Sequence, residues 1–189
     1  LYAYKQRQLS QLMKNPGNGT RGKIGIPMVL NMYELLPFWH AFFTSLGFQV
    51  IVSPFSNRKL YQAGQGSIPS DTVCFPAKLT HGHIMALLKK DVDAIFYPCM
   101  SYNIDEGLGD NHYNCPVVAY YPEVLAGNIR ELEDTKFIYE YLNLEQRKDF
   151  VRLMPKIMQK YFPDLKTADI HNAIEVAYTA YRKHMEDTR

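Results

Sequence analysis

The chain has 189 residues, 47% of them hydrophobic and 13% aromatic, which is enough to bury a core and too apolar for a disordered segment. Its 21 basic and 19 acidic residues are spread along the whole length and leave a net charge of +2, so charge excludes a nucleic-acid-binding role. No run approaches the ~18 uninterrupted apolar residues of a membrane span, the stretch 30–48 being broken by Asn31, Glu34, Pro37, His40 and Ser45. The three cysteines form no C-x-x-C, and no signal peptide is visible, which points to a reducing cytoplasmic compartment. Opening on Leu1 rather than methionine, the sequence reads as a piece of a longer protein.

Residues 1–22, ending in N-P-G-N-G-T-R-G, read as a linker. Two β-rich runs follow at 23–27 and 49–53, separated by a helix. Asn31 is expected to cap that helix and Glu34 to complete a capping box, with Gly47 as the stop. Leu35, Leu36, Phe38, Trp39, Phe42, Phe43 and Leu46 make it apolar over much of its circumference, which predicts core. A short helix is expected over 57–64, extended chain over 67–74, and a helix opened by Pro76 that runs to about residue 90. Residues 93–98 and 116–121 (P-V-V-A-Y-Y) both read as buried strands. Strands alternating with helices predict an α/β, Rossmann-like, mainly parallel doubly wound sheet over 23–133. Beyond it, 134–189 reads as a C-terminal helical extension packed on the same domain. Asn143 and Gln146 form a capping box there, Pro155 bends the first helix, and Thr167 starts the last.

Each cysteine lies within two residues of a proline: V-C-F-P at Cys74, Y-P-C at Cys99 and N-C-P at Cys115. Cys74 precedes a helix, whose N-terminal dipole stabilises a thiolate. Cys99 follows a buried strand at the end where open α/β sheets collect ligands. Cys115 closes a polar loop, 100–114, that carries Asp105, Glu106, Asp110 and His112. From spacing alone three readings stand: unrelated buried thiols, a zinc set, or an iron–sulfur cluster with one position open. A nucleophilic cysteine is disfavoured, since no base is singled out beside any one thiol. His112 is the candidate fourth group, whereas His81 and His83, two apart on a helix, cannot chelate together. A shared site carries a geometric condition. If 116–121 is a strand parallel to 93–98, their facing ends lie roughly 17 Å apart, so the loop 100–114 must bring Cys115 back to the Cys99 edge.

The segments K-I-G-I-P-M-V-L-N-M-Y-E-L-L-P-F-W from Lys23, V-C-F-P-A-K-L-T-H-G-H-I from Val73, I-F-Y-P-C from Ile95 and N-H-Y-N-C-P-V-V-A-Y-Y-P-E-V from Asn111 resemble the uncharacterised domain of CoA-substrate-specific enzyme activases. That family is related to the activator and dehydratase components of the 2-hydroxyglutaryl-CoA dehydratase system. The resemblance implies that Cys74, Cys99 and Cys115 bind a [4Fe-4S] or related iron–sulfur cluster used in low-potential electron transfer. It also implies two partners, an ATPase activase domain of the same longer chain and an acyl-CoA dehydratase-like protein. The sequence departs from the family's expected pattern at Met28, where an arginine is expected, and at Tyr120, where a smaller residue is. The rival reading is a metal-free interaction module or a zinc-stabilised domain.

Overall fold

The computed structural model describes residues 2–105, 107 and 109–188; Glu106 of the polar loop lies outside the described residues. Four strands, β1 (Lys23–Ile26), β2 (Gln49–Val52), β3 (Ala94–Phe96) and β4 (Phe137–Ile138), pair in the order β2-β1-β3-β4, every pair parallel. β3 is buried along its whole length, as expected of a strand covered by helices on both faces. The helices are α1 (Tyr2–Lys14), α2 (Asn31–Ser45), α3 (Arg58–Gly64), α4 (Phe75–Leu88), α5 (Pro116–Asn128), α6 (Arg147–Tyr161) and α7 (Thr167–Thr188). They pack as two groups, α1, α2, α6 and α7 in one and α3, α4 and α5 in the other. The fold is the Rossmann-like doubly wound α/β arrangement.

The seven apolar residues singled out on α2 are all buried. Trp39 packs against Phe96 of β3 at 4.6 Å between ring centroids, and Phe38 meets Trp39 at 4.8 Å and Tyr178 of α7 at 5.0 Å. These edge-on and tilted aromatic contacts tie the C-terminal helices into the core of the sheet. Residues 134–189 therefore contribute a strand, β4, as well as α6 and α7 to one continuous core.

Several parts of the chain differ from the sequence expectation. Within the expected linker, residues 2–14 form α1, which buries Leu9 and rests Leu12 and Met13 on the core. Those three positions share one helix face, a stripe too short to stand out beside the glycine-rich segment after it. The run 116–121 is not a strand but the start of α5. Its β-branched and aromatic residues favour a strand locally, yet Ala119, Pro122 and Leu125, three apart, are buried on one helical face. Nor does the capping box at Asn31 form. Leu30 is the N-cap of α2, with φ 51°, and Glu34 pairs with Lys5 of α1 at 3.1 Å. The segment 67–74 is extended at Ile68 and Cys74 but is interrupted by a turn at 71–72.

The position of α4 depends on two glycines. Gly64 of α3 and Gly82 of α4 let the two backbones touch: a Cβ on Gly82 would overlap the Leu60 carbonyl, and one on Gly64 would overlap the backbone at Gly82. Alanine at Gly82 gains about 1 kcal/mol of helix propensity, but separating two backbones costs more. We expect Gly82→Ala to destabilise the domain by at least about 2 kcal/mol, read as a lowered urea midpoint. An unchanged or raised midpoint would show that the contact is loose.

Candidate functional site

In a parallel sheet the helix that leads into a strand runs antiparallel to it, so its N-terminus lies at the carboxyl edge. α4 leads into β3, and α5 leads through a short turn into β4. Their N-cap residues are Cys74 and Cys115, each with extended backbone and each followed by proline in the first turn. Cys99 leaves the carboxyl end of β3 and is held in the sheet by its N–H to the Glu140 carbonyl (3.1 Å) and by Leu142 N–H to its own carbonyl (2.9 Å). All three cysteines thus belong to the carboxyl edge. The geometric condition set by a strand at 116–121 disappears, because that segment is a helix.

The loop 100–114 closes on itself. Asn114 donates its N–H to the Ser101 carbonyl (2.9 Å) and its Nδ2 to the Met100 carbonyl (2.8 Å), and Asn103 Nδ2 reaches Asn114 Oδ1 (2.8 Å). The residue before Cys115 is thereby fastened to the two residues after Cys99. Met100 N–H in turn donates to the Ala119 carbonyl, one turn into α5 (3.1 Å). His112 is paired within the loop, its Nε2 lying 3.4 Å from Asp105 Oδ1. Cys74 and Cys115 are exposed, Cys99 is buried, and none is in a disulfide. Among the described residues no three His, Cys, Asp or Glu side chains stand close enough to share a metal ion. Sheet topology therefore brings the three backbones to one edge without bringing the three sulfurs together.

Burial first, and the Glu123 carboxylate second, push the Cys99 thiol up to about 11, so it stays protonated at neutral pH. Glu123 is engaged by Tyr141, whose hydroxyl donates to it at 2.5 Å. Behind α4's first turns lie two fully buried histidines, each satisfied at both ring nitrogens. Ser67 donates its hydroxyl to the Gly64 carbonyl (3.0 Å) and so accepts from His81 Nδ1 (2.8 Å), which leaves His81 Nε2 to accept from Tyr121 (3.0 Å). His83 lies between Ser53 (2.6 Å) and Ser56 (2.9 Å), and Ser53 also accepts the Met28 N–H (2.7 Å). Met28 itself is buried, so the expected arginine position has become part of the core. Burial lowers both histidines to about 4.

The family profile described as the CoA enzyme activase uncharacterised domain matches residues 23–189. The chain belongs to that family. α1 lies outside the match. No curated protein and no solved structure matches the chain. No helix among the described residues is long and apolar enough to cross a membrane. Cysteine thiolates are soft donors of the kind that suits iron–sulfur clusters and zinc, although among the described residues the three thiols are not gathered into one donor set. Sequence reasoning missed Asn114 and Tyr121. N-C-P, like C-F-P at Cys74, carried the signal for a helix start, since proline in a first turn follows an N-cap.

The histidines make a pH prediction. Their folded values lie below the usual 6.5, so below pH 6.5 the unfolded chain takes up protons that the folded domain refuses. Stability is complete above that pH and falls as pH drops toward 4, by up to about 3 kcal/mol for each histidine. Urea midpoints between pH 7.5 and 4.5 should fall steadily, and His81→Gln should remove about one proton from the slope. A slope unaffected by that variant would place the acid sensitivity elsewhere.

Proposed function

We propose that this domain holds an iron–sulfur cluster through Cys74, Cys99 and Cys115, and serves low-potential electron transfer in a protein that activates CoA-substrate enzymes. The observation that supports this reading is the convergence of the three cysteine backbones on one sheet edge, where Asn114 fastens the approach to Cys115 against the exit from Cys99. Cys74 and Cys115 sit at the positive ends of α4 and α5, neither of which has an acidic residue in its first turn, and a helix N-terminus stabilises a thiolate ligand. Cys99 keeps its proton until a positive centre replaces it. The cluster would supply one-electron chemistry with an iron position open to a further ligand. An ATPase activase domain of the same longer chain would drive the electrons, and a 2-hydroxyacyl-CoA dehydratase-type protein would receive them. Because the three sulfurs are not grouped, ligation would require the first turns of α4 and α5 to draw toward Cys99.

Anaerobic reconstitution with ferrous iron and sulfide is the test. Iron and acid-labile sulfide in similar amounts, with a broad visible absorption, are expected. Cys99→Ser should reduce both to near background, and His112→Ala should leave them unchanged. No iron after reconstitution would sink the reading in favour of a metal-free docking module built on the exposed Phe75, Tyr113, Tyr120 and Tyr141. Zinc bound in place of iron would favour a zinc-stabilised domain.

A further inference from the structure

The open sheet has two edge strands, β2 and β4, and an unpaired edge offers a row of main-chain donors and acceptors to another strand. The β2 edge is closed by the chain itself. Gln49 and Ser53 donate toward β1, so the alternation of a strand turns the main-chain groups of Val50 and Val52 outward. Val50 N–H donates to the Pro16 carbonyl (2.6 Å), and the Val52 carbonyl accepts from Lys90 Nζ (3.0 Å).

The β4 edge is open. The carbonyls of Lys136, Ile138 and Glu140 accept from Ile95, Tyr97 and Cys99, and Leu142 N–H returns to Cys99, so the even-numbered positions face β3. Phe137, Tyr139 and Tyr141 therefore turn their N–H and C=O groups outward, and among the described residues none of these six groups makes a hydrogen bond. A hollow of about 200 Å³ lies along this edge, lined by Tyr139, Glu140 and Tyr141 and by Lys160 and Tyr161 of α6. Tyr139 and Tyr141 are 37% and 52% exposed.

The unpaired groups say what fills the hollow. Donors and acceptors repeating at every second residue match the main chain of an added strand. Their order says which strand: antiparallel neighbours exchange both N–H···O bonds at every second residue, so a second copy of this edge, set about a twofold axis at Tyr139, pairs Tyr139 with itself and Phe137 with Tyr141 in both directions. Every outward group then has a partner. The side chains agree. Aromatic rings face aromatic rings across the join, and on the opposite face Lys136 lies diagonal to Glu140 of the second copy, within reach of a long side chain. Glu140 stands directly opposite Ile138, so no like charges meet.

We infer that this chain forms a twofold dimer by antiparallel pairing of residues 137–141, which joins two four-stranded sheets into one continuous sheet. Because the β2 edge is closed, growth stops at two copies. The carboxyl edges of the two copies point in opposite directions, so the pairing leaves the cysteines of each uncovered. The inference needs no metal and goes beyond the cluster reading, so the two stand or fall separately.

Sedimentation velocity of the metal-free 189-residue chain over a concentration series tests it. A reversible monomer–dimer equilibrium without larger species is expected. Tyr139→Pro removes an outward N–H and no bond to β3, a change that edge strands tolerate. Tyr139→Lys sets two like charges opposite each other at the axis. Each should raise the dimer dissociation constant by about tenfold or more, and a urea midpoint close to that of the unaltered chain shows that the fold is kept. Phe75→Ser, at an exposed aromatic outside the edge, should leave the constant unchanged. A chain still monomeric at about 1 mM, open-ended polymers, a dimer untouched in the folded Tyr139→Lys variant, or one lost in Phe75→Ser would each overturn the assignment.

Discussion

Parallel pairing of β3 with β1 on one side and β4 on the other governs everything at the carboxyl edge. Parallel neighbours cannot be joined by tight hairpins, so the chain must cross back between strands, and here it does so through α4 and α5. Each crossing helix points its positive end at the edge where β3 delivers Cys99. The cysteines therefore meet at one edge through the direction of the strands, even though 25 and 16 residues separate them in sequence. Had β4 paired antiparallel, α5 would have presented its C-terminus there, and Cys115 would have lain at the opposite edge.

The edge is held in two different ways. On the α4 side the fixing is steric: Gly64 and Gly82 bring two helix backbones into contact, which sets the height of Cys74 above the sheet. On the α5 side it is polar. Asn114 satisfies two carbonyls of the chain leaving Cys99, and Met100 returns an N–H to α5. Between these supports the tyrosine of α5 reaches the histidine of α4, so the Ser67, His81 and Tyr121 chain couples the two helices through a buried and fully satisfied set of hydrogen bonds. Such a set is directional, and it fixes α5 in rotation as well as in position. The sulfurs themselves belong to none of these supports, apart from the weak acceptance by Cys115 of the Val118 N–H at 3.5 Å. Cys74 and Cys115 are exposed, whereas Cys99 is buried.

How much of this the sequence revealed depended on whether local and tertiary signals agreed. For β1, β2, α2, α4 and α7 they did, because apolar periodicity and a start or stop residue pointed the same way. At α5 they conflicted. A run of valines and tyrosines prefers a strand by itself, and only its burial against α4 and the sheet makes it a helix. β4, two residues long, is a strand only because β3 offers it a ladder, a signal no local pattern carries. α1 was obscured by the glycines after it, and the capping box at Asn31 was lost to an ion pair from α1, a partner 29 residues away. That Cys74 precedes a helix was legible from the proline in its first turn, a local rule; the same cue at Cys115 was outweighed by the strand-like run after it, and the choice of the three cysteines as candidate ligands rests on the family resemblance.

The distance between the sulfurs follows from the same construction. An N-cap residue has its backbone fixed by the helix and its side chain turned to the first amides, and for Cys115 that is the geometry found, with Sγ over the Val118 N–H. A thiol held there faces along its own helix, and Cys99, protonated and buried, offers no charge to draw it across. On the proposed cluster reading, Cys99 would give up its proton to a positive centre, and Cys115 would exchange one weak N–H contact for it. The Asn114 hydrogen bonds and the Gly64–Gly82 backbone contact would confine such a shift to side chains and first turns.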